Sequence, residues 1–145
     1  MAFAALQPSS HSSDSDSIQV YKVEPYVMVA DIYGTALYKG RGGWTWYTGS
    51  AGWMYQFIIG SLLGMELQKD VLTLKPCFPM DWPSVSMIYS YGSSTFRITI
   101  FQLNNNEESW WIQDETYGKG NTIQLIDDGK EHKVEVYICT RFPED

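Results

Sequence analysis

The stretch Gly40-Arg-Gly-Gly-Trp-Thr-Trp-Tyr-Thr-Gly-Ser-Ala-Gly-Trp-Met-Tyr55 leads from a glycine-rich loop into a long apolar segment. Residues 37–47 are predicted to be a loop, and Thr48, a good helix cap, predicts a helix that runs to Gly64. Apolar side chains cover almost the whole circumference of this helix. Such a helix belongs in a core, and a chain of 145 residues leaves little to bury it on every side. The stretch therefore predicts a piece of a larger protein.

The start of this predicted helix has the features of an anion site. The first backbone N–H groups of a helix point outward with a partial positive charge, and phosphate is their usual ligand. Thr48 adds a hydroxyl donor, Gly49 allows an oxyanion to approach closely, and Arg41 lies near enough in sequence to add a guanidinium. Trp46 and its aromatic neighbours are candidates for stacking on a sugar ring. The alternative is that Thr48 is only a helix cap and that the tryptophans are core residues.

The rest of the first half is also predicted to contain helices. Glu24-Pro25 introduces a predicted helix over 21–36, because proline suits the first turn of a helix. Its side chains are apolar around most of the surface except at Asp31, which either faces a polar cleft or caps a partner helix. The serine-rich residues 9–17 are predicted to be a solvated loop, and residues 2–6 the end of another helix.

After about residue 70 the pattern changes to the alternation that is typical of β-strands. Gly92-Ser-Ser94 predicts a three-residue hairpin loop, and residues 104–107 a turn. Antiparallel strands are predicted over 71–74, 85–91, 95–103, 109–113, 122–126 and 133–140, with the last two forming a pair. The chain is thus predicted to be α+β, with a helical part over 1–67 and an antiparallel β part over 68–145.

Composition excludes several classes of protein. The net charge of −7 argues against nucleic-acid binding that depends on neutralising phosphates. The apolar stretch 53–63 is about half the ~20 residues that a membrane span needs, and no signal peptide is recognisable. We expect a cytoplasmic protein without a transmembrane segment. Cys77 and Cys139 form no zinc pattern, so we expect two reduced thiols, no metal and no cofactor.

No catalytic set can be assembled within the chain. His11 and His132 lie in polar segments and are predicted to be solvated, and no Ser-His-Asp or Cys-His set has a recognisable spacing. Trp110 and Trp111 are neighbours on a predicted strand, which places one indole on each face of a sheet. One alternative is therefore a non-catalytic carbohydrate-binding module that uses these tryptophans. The apolar helix at 50–63 argues against it, since such a module would not need it.

Three blocks of sequence resemble a known family. Tyr21-Lys-Val-Glu-Pro-Tyr-Val27, residues 40–55 and Pro76-Cys-Phe-Pro-Met-Asp-Trp-Pro83 are similar, in order and spacing, to the C-terminal part of glycoside hydrolase family 94. This family contains cellobiose and chitobiose phosphorylases and the phosphorylase-like domain of cyclic β-1,2-glucan synthases. The first two blocks look closer to the synthase branch. The resemblance implies the last helices of an (α/α)6 barrel followed by a small C-terminal β domain.

The resemblance also implies inverting phosphorolysis of β-linked glucose oligosaccharides, with inorganic phosphate as co-substrate. The family's phosphate-contacting Thr-Gly pair matches Thr48 and Gly49. The family's general-acid Asp lies upstream in the barrel, so we expect no catalytic residue in this chain and no activity from it alone. Arg41, Trp46 and Asp31 remain candidates for sugar or phosphate contacts.

The resemblance has one informative departure. Ala30 stands where some cellobiose phosphorylases carry a sugar-contacting Gln, so the substrate preference of this protein is expected to differ from theirs. Because family members often form dimers, we expect the full-length enzyme to be a homodimer.

Overall fold

The computed structural model describes residues 6–103 and 108–139. It divides into two compact units, Met1–Phe57 and Ile58–Asp145. The first contains short helices and a two-stranded ribbon, and the second contains two β-sheets, so the α+β class is confirmed. The predicted turn at 104–107, and all but the last residue of the helix end predicted over 2–6, lie outside the described residues. The α/α barrel and the domain boundary after residue 67 stay predictions.

The first unit begins with a 3-10 helix, Pro8–His11, and helix α1, Ser15–Tyr21. The carboxylate of Asp14 caps α1 by accepting a hydrogen bond from the Ser17 N–H at 2.8 Å. The prediction of a loop throughout the serine-rich segment was therefore wrong. Serine and aspartate are poor in helix interiors but favourable at helix starts, and the capping signal was hidden in the low-complexity composition.

The helix predicted over 21–36 is replaced by a turn and an extended segment. The turn is closed by a hydrogen bond of 3.1 Å from the Val27 N–H to the Glu24 carbonyl. Strand β1, Asp31–Ile32, then pairs antiparallel with strand β2, Gly42–Gly43. Asp31 therefore lies on a strand and not on a helix. The local helix propensity of this segment is weak, and the pairing of Ile32 with Gly42, ten residues later, overrides it.

Helix α2 covers Thr48–Gln56 and continues as a π-helix over Phe57–Leu62. The position of the predicted helix is confirmed, but its second half is not α-helical. None of the nine residues of α2 is buried within the described chain, and Trp53 is 78% exposed. The burial expected from its apolar circumference is thus not provided by the residues that the structure describes.

The described residues of the second unit form eight strands: β3 Met65–Gln68, β4 Val71–Leu74, β5 Ser84–Tyr91, β6 Ser94–Leu103, β7 Trp110–Gln113, β8 Thr116–Lys119, β9 Thr122–Gln124 and β10 Glu131–Cys139. One sheet has the order β5-β6-β10-β7-β8 and the other the order β3-β4-β9. Strands β3 and β8 were not predicted. The alternation in β3 covers only four residues, Met-Glu-Leu-Gln, and β8 shows no apolar alternation.

Strands β6 and β10 form the centre of the larger sheet and run parallel to each other. The predicted pairing of the last two strands was wrong, since β9 pairs with β4, whereas β10 pairs with β6 and β7. The hairpin between β5 and β6 is also tighter than predicted, because Tyr91 pairs directly with Ser94. The inward side chains of the two central strands are fully buried and form the core: Phe96, Ile98, Ile100, Val134 and Val136.

Candidate functional site

Thr48 is the first residue of helix α2 and not its cap. The capping position belongs to Tyr47, whose backbone is extended (φ −83°, ψ 111°) and whose side chain makes no capping hydrogen bond. Thr48 is exposed, and its hydroxyl has no hydrogen-bond partner among the described residues. The first turn of α2 therefore presents free backbone N–H groups and a free hydroxyl in the same place.

The loop before α2 holds two tryptophans in an unusual backbone conformation. Trp44 and Trp46 have φ angles of 54° and 60°, in the left-handed region that bulky residues rarely adopt. Their side chains are 72% and 69% exposed. Trp44 packs edge-on against Tyr47 and Trp46 against Tyr26, each with ring centroids 6.3 Å apart. Strain of this kind is concentrated at functional sites, so the loop is a candidate ligand surface.

The β1–β2 ribbon ties this loop to the segment that carries Asp31. Asp31 lies opposite Gly43, and the Ala30 N–H donates to the Gly43 carbonyl at 3.2 Å. Ser50 of helix α2 also connects to this segment. Its hydroxyl lies within hydrogen-bond distance of the Tyr47 carbonyl, at 2.7 Å, and of the Met28 carbonyl, at 3.3 Å. The structure thus brings the Asp31 segment and the loop with Trp46 together beside the start of α2.

Arg41 has its own local contacts. Its N–H donates to the Tyr38 carbonyl at 3.0 Å, and its carbonyl accepts from the Tyr33 N–H at 2.9 Å. Its guanidinium carbon lies 5.9 Å from the centre of the Tyr38 ring, which is a cation–π contact. Among the described residues, no hydrogen bond joins the guanidinium to Thr48. The guanidinium is therefore engaged with Tyr38 and not with the start of the helix.

An apolar groove of about 390 Å³ runs beside helix α2. Ala30 lines this groove together with side chains of the helix. Ser50 supplies a polar group at this wall, where its hydroxyl is held by the contacts described above. The other lining side chains include Met28, Trp53, Met54 and Phe57.

The two histidines are not solvated as predicted. His11 is half-buried and stacks on Tyr21 with ring centroids 4.8 Å apart. His132 is 6% exposed, and its two ring nitrogens contact Asp114 and Asp128. The contact to Asp114 depends on strand pairing that the sequence did not reveal. Asp128 lies in the turn before the strand of His132, where no sequence pattern indicates a contact.

Trp110 and Trp111 do not form a sugar platform. Trp110 stacks on Tyr137 with ring centroids 3.8 Å apart, and Tyr117 lies on it at 5.9 Å. The indole nitrogen of Trp111 is buried without a hydrogen-bond partner among the described residues, and its ring packs closely on Gly118. Because Trp110 is stacked on Tyr137 and Trp111 packs on the backbone of β8, the geometry does not favour the carbohydrate-binding module.

Within residues 6–103 and 108–139, no group of three or more His, Cys, Asp or Glu side chains is arranged to hold a metal ion. No helix in that part of the chain is long and apolar enough to cross a membrane.

Comparison with known proteins gives the family. Residues 1–64 match the family described as the glycosyl hydrolase 94 superfamily, catalytic domain. The cyclic beta-(1,2)-glucan synthase NdvB of Rhizobium meliloti (strain 1021) is 44% identical over 98 residues, which are 68% of this chain and 4% of that protein. The solabiose phosphorylase of Paenibacillus borealis is 33% identical over 138 residues, 92% of this chain and 16% of that enzyme. The N,N'-diacetylchitobiose phosphorylase of Vibrio furnissii is 30% identical over 130 residues, 87% and 16% of the two chains.

These matches define a carbohydrate-active protein class that includes phosphorylases and a glucan synthase. The chain belongs to glycoside hydrolase family 94. It spans between 4% and 16% of the length of these three relatives. The strained tryptophan loop and the start of α2 both lie inside the matched residues 1–64.

Proposed function

We propose that this chain is the C-terminal part of an inverting β-glucan or β-oligoglucoside phosphorylase-type enzyme similar to the cyclic β-1,2-glucan synthases. Its substrates are a β-linked glucose oligosaccharide and inorganic phosphate. The observation that carries the proposal is the exposed start of helix α2 at Thr48, which lies within the segment that matches the family's catalytic domain.

The start of α2 provides half of a phosphate site. The free N–H groups of its first turn and the partial positive charge of the helix end both favour a dianion. Thr48 donates its hydroxyl to a phosphate oxygen, and such charge-assisted hydrogen bonds are stronger than neutral ones. A side chain at Gly49 would meet the Tyr47 ring at 2.8 Å, so the glycine lets that ring pack against the first turn of the helix. The contribution of Gly49 to the proposed site is its backbone N–H.

The displacement needs groups from outside this chain. A phosphate oxygen attacks the anomeric carbon, the glycosidic C–O bond breaks, and a carboxylic acid protonates the departing oxygen. An inverting hydrolase needs a second carboxylate to activate water, whereas phosphate is already a nucleophile. We assign the general acid to the part of the enzyme that precedes this chain, and we assign no proton transfer to Asp31. The chain alone is therefore inactive.

The aromatic loop supplies the sugar side of the site. Trp46 is exposed and precedes Thr48 by two residues. A glucose ring stacked on its indole would therefore lie close to a phosphate at the start of α2. Asp31 and Arg41 belong to the same unit and are secondary candidates for hydroxyl or phosphate contacts. The full-length enzyme is proposed to be a cytoplasmic homodimer.

The substitution Thr48→Val in the longer enzyme tests this proposal. It keeps the shape of the side chain but removes the hydroxyl, so phosphate use should weaken by about 1–3 kcal/mol, the range for a lost hydrogen bond to a charged group. The measurement is kcat/KM for phosphate during phosphorolysis of β-1,2- and β-1,4-gluco-oligosaccharides. Thr116→Val, the same change at an exposed position of strand β8, is the matched control and should leave phosphate use unchanged. An unaltered KM and rate for Thr48→Val would remove Thr48 from the site.

A further inference from the structure

The β unit contains a buried histidine that is held by two carboxylates. The side chain of His132 is 8% exposed, and its ring stacks on Phe96 with centroids 4.8 Å apart. Its Nδ1 lies 2.9 Å from Asp114 Oδ2, and its Nε2 lies 3.0 Å from Asp128 Oδ1. The two carboxylates approach the ring from opposite edges and come from different segments of the chain.

The chemistry of these contacts fixes the protonation state of the ring. An ionised carboxylate only accepts hydrogen bonds, and a neutral imidazole has only one N–H to donate. Both contacts are hydrogen bonds only when both ring nitrogens carry a proton, so the arrangement requires the imidazolium. The hydrogen bond to Asp114 raises the pKa of His132, burial opposes this, and Asp128 adds a second rise in the pKa.

The carboxylates are correspondingly held in their ionised form. The pKa of Asp114 is lowered by its hydrogen bonds with His132 and with the Lys133 N–H. Burial opposes ionisation of Asp128, but hydrogen bonds from the Lys130 N–H and from His132 lower its pKa overall. Other charged groups lie close to these residues. The Lys130 Nζ is 3.2 Å from Asp128, and Asp127 and Asp128 repel each other. On either side of His132 in sequence, Glu131 pairs with Arg97 and Lys133 pairs with Glu135, each at 2.8 Å.

The histidine connects two turns at one end of the larger sheet, and a third turn is hydrogen-bonded to one of them. Asp114 lies in the turn between β7 and β8, and its Oδ1 accepts from the Lys133 N–H at 2.9 Å. Asp128 lies in the 127–130 turn that precedes β10. The Ser94 hydroxyl, at the β5–β6 hairpin, accepts from the N–H groups of Asp128 and Gly129 at 2.9 Å each. Asp127 accepts hydrogen bonds from both the N–H and the hydroxyl of Ser93 in the same hairpin.

We infer that His132 is a pH-sensitive clasp, closed as the imidazolium, that fastens the 127–130 turn and the β7–β8 turn to the start of β10. Loss of one proton leaves a lone pair facing a carboxylate, so one of the two contacts opens. The contribution of His132 to stability is fully present below its ordinary pKa of 6.5 and is lost as the pH rises through the raised value in the folded chain. The contributions of Asp114 and Asp128 are present above 3.8 and are lost as the pH falls through their lowered values.

The test is an NMR titration of the imidazole nitrogens and protons in the full chain. The sequence has two histidines, so His11→Gln assigns the signals of His132. We expect both nitrogens of His132 to be protonated on the acid plateau, a midpoint above 6.5, and amide shifts of Gly129 and Glu115 that follow the same midpoint. A midpoint at or below 6.5, or a neutral ring in which only one nitrogen is protonated at pH 6, would overturn the clasp.

Two variants and one matched control separate the clasp from a general charge effect. Asp114→Asn and Asp128→Asn each remove one carboxylate from the ring and should lower the midpoint of His132. Asp127→Asn removes a neighbouring carboxylate that bonds to Ser93 and not to His132, so it should leave the midpoint almost unchanged. Equal shifts for all three variants would contradict the inference, and if a variant does not fold, the titration of the unaltered chain still decides the question.

Discussion

Trp44 and Trp46 are the residues in the first unit whose conformation most needs an explanation. A left-handed backbone is unfavourable for tryptophan, and a largely exposed indole contributes little to packing. Trp44 and Trp46 nevertheless combine a left-handed backbone with exposed fractions of 72% and 69%. A residue held in such a conformation costs about 1–3 kcal/mol, which the surrounding structure must offset. The sugar contact proposed above would give this arrangement a function, whereas stability does not explain it.

The substitution Trp46→Ala tests the sugar contact in the longer enzyme. It should raise the KM for the oligosaccharide about two- to tenfold, which corresponds to ~0.5–1.5 kcal/mol of ring contact, while the KM for phosphate stays within about twofold. Initial rates measured with each substrate varied in turn provide both constants. Tyr117→Ala, which removes an exposed aromatic ring from the β unit, is the control and should change neither KM. Equal effects of the two variants on the oligosaccharide would argue against the assignment.

At the scale of single elements, the prediction from sequence was most accurate where the apolar alternation lies within one strand. The alternation in 95–103 places Phe96, Ile98 and Ile100 in the core, because one face of a strand is buried and the other is not. The helix predicted over 21–36 failed for the opposite reason. Part of this segment pairs with Gly42–Gly43 in a short β ribbon. A local sequence pattern cannot indicate a pairing partner from another part of the chain.

The candidate site was predictable in part. The position of Thr48 at the start of a helix could be read from the glycine-rich approach and the apolar run that follows it. The capping role of Tyr47 and the left-handed tryptophans could not, since both are properties of the backbone. The buried state of His132 was also hidden, because it depends on the parallel pairing of β6 with β10 and on the β7–β8 turn.

Packing between β7 and β8 gives a prediction for the β unit. Gly118 lies opposite Trp111, and a methyl group there would overlap with the indole. Gly118→Ala should therefore lower the free energy of unfolding by about 1–3 kcal/mol, the usual effect of overpacking. Urea unfolding monitored by tryptophan fluorescence measures the change. Gly60→Ala in the same unit, where nothing lies within 4 Å, is the control, and equal destabilisation by both would refute the packing argument.

At the scale of the whole molecule, the chain combines a small helical unit with exposed apolar and aromatic side chains and a β unit with a well-formed core. Residues 1–64 match the family's catalytic domain, and no residue of α2 is buried within the described part of the chain. Both findings are explained if the first unit is part of a larger catalytic domain whose other residues cover α2. We therefore propose different roles for this chain and for the rest of the enzyme. The chain contributes phosphate and sugar contacts, and the rest of the enzyme contributes the acid.

The product formed from a β-linked gluco-oligosaccharide tests this account most directly. The longer enzyme is incubated with β-1,2- or β-1,4-gluco-oligosaccharides, with and without inorganic phosphate, and the products are followed by ¹H and ³¹P NMR. The account predicts α-glucose 1-phosphate, formed only when phosphate is present, and no product from the 145-residue chain alone. Phosphate-independent release of free glucose, a β-configured phosphate ester, or turnover by the 145-residue chain alone would contradict it.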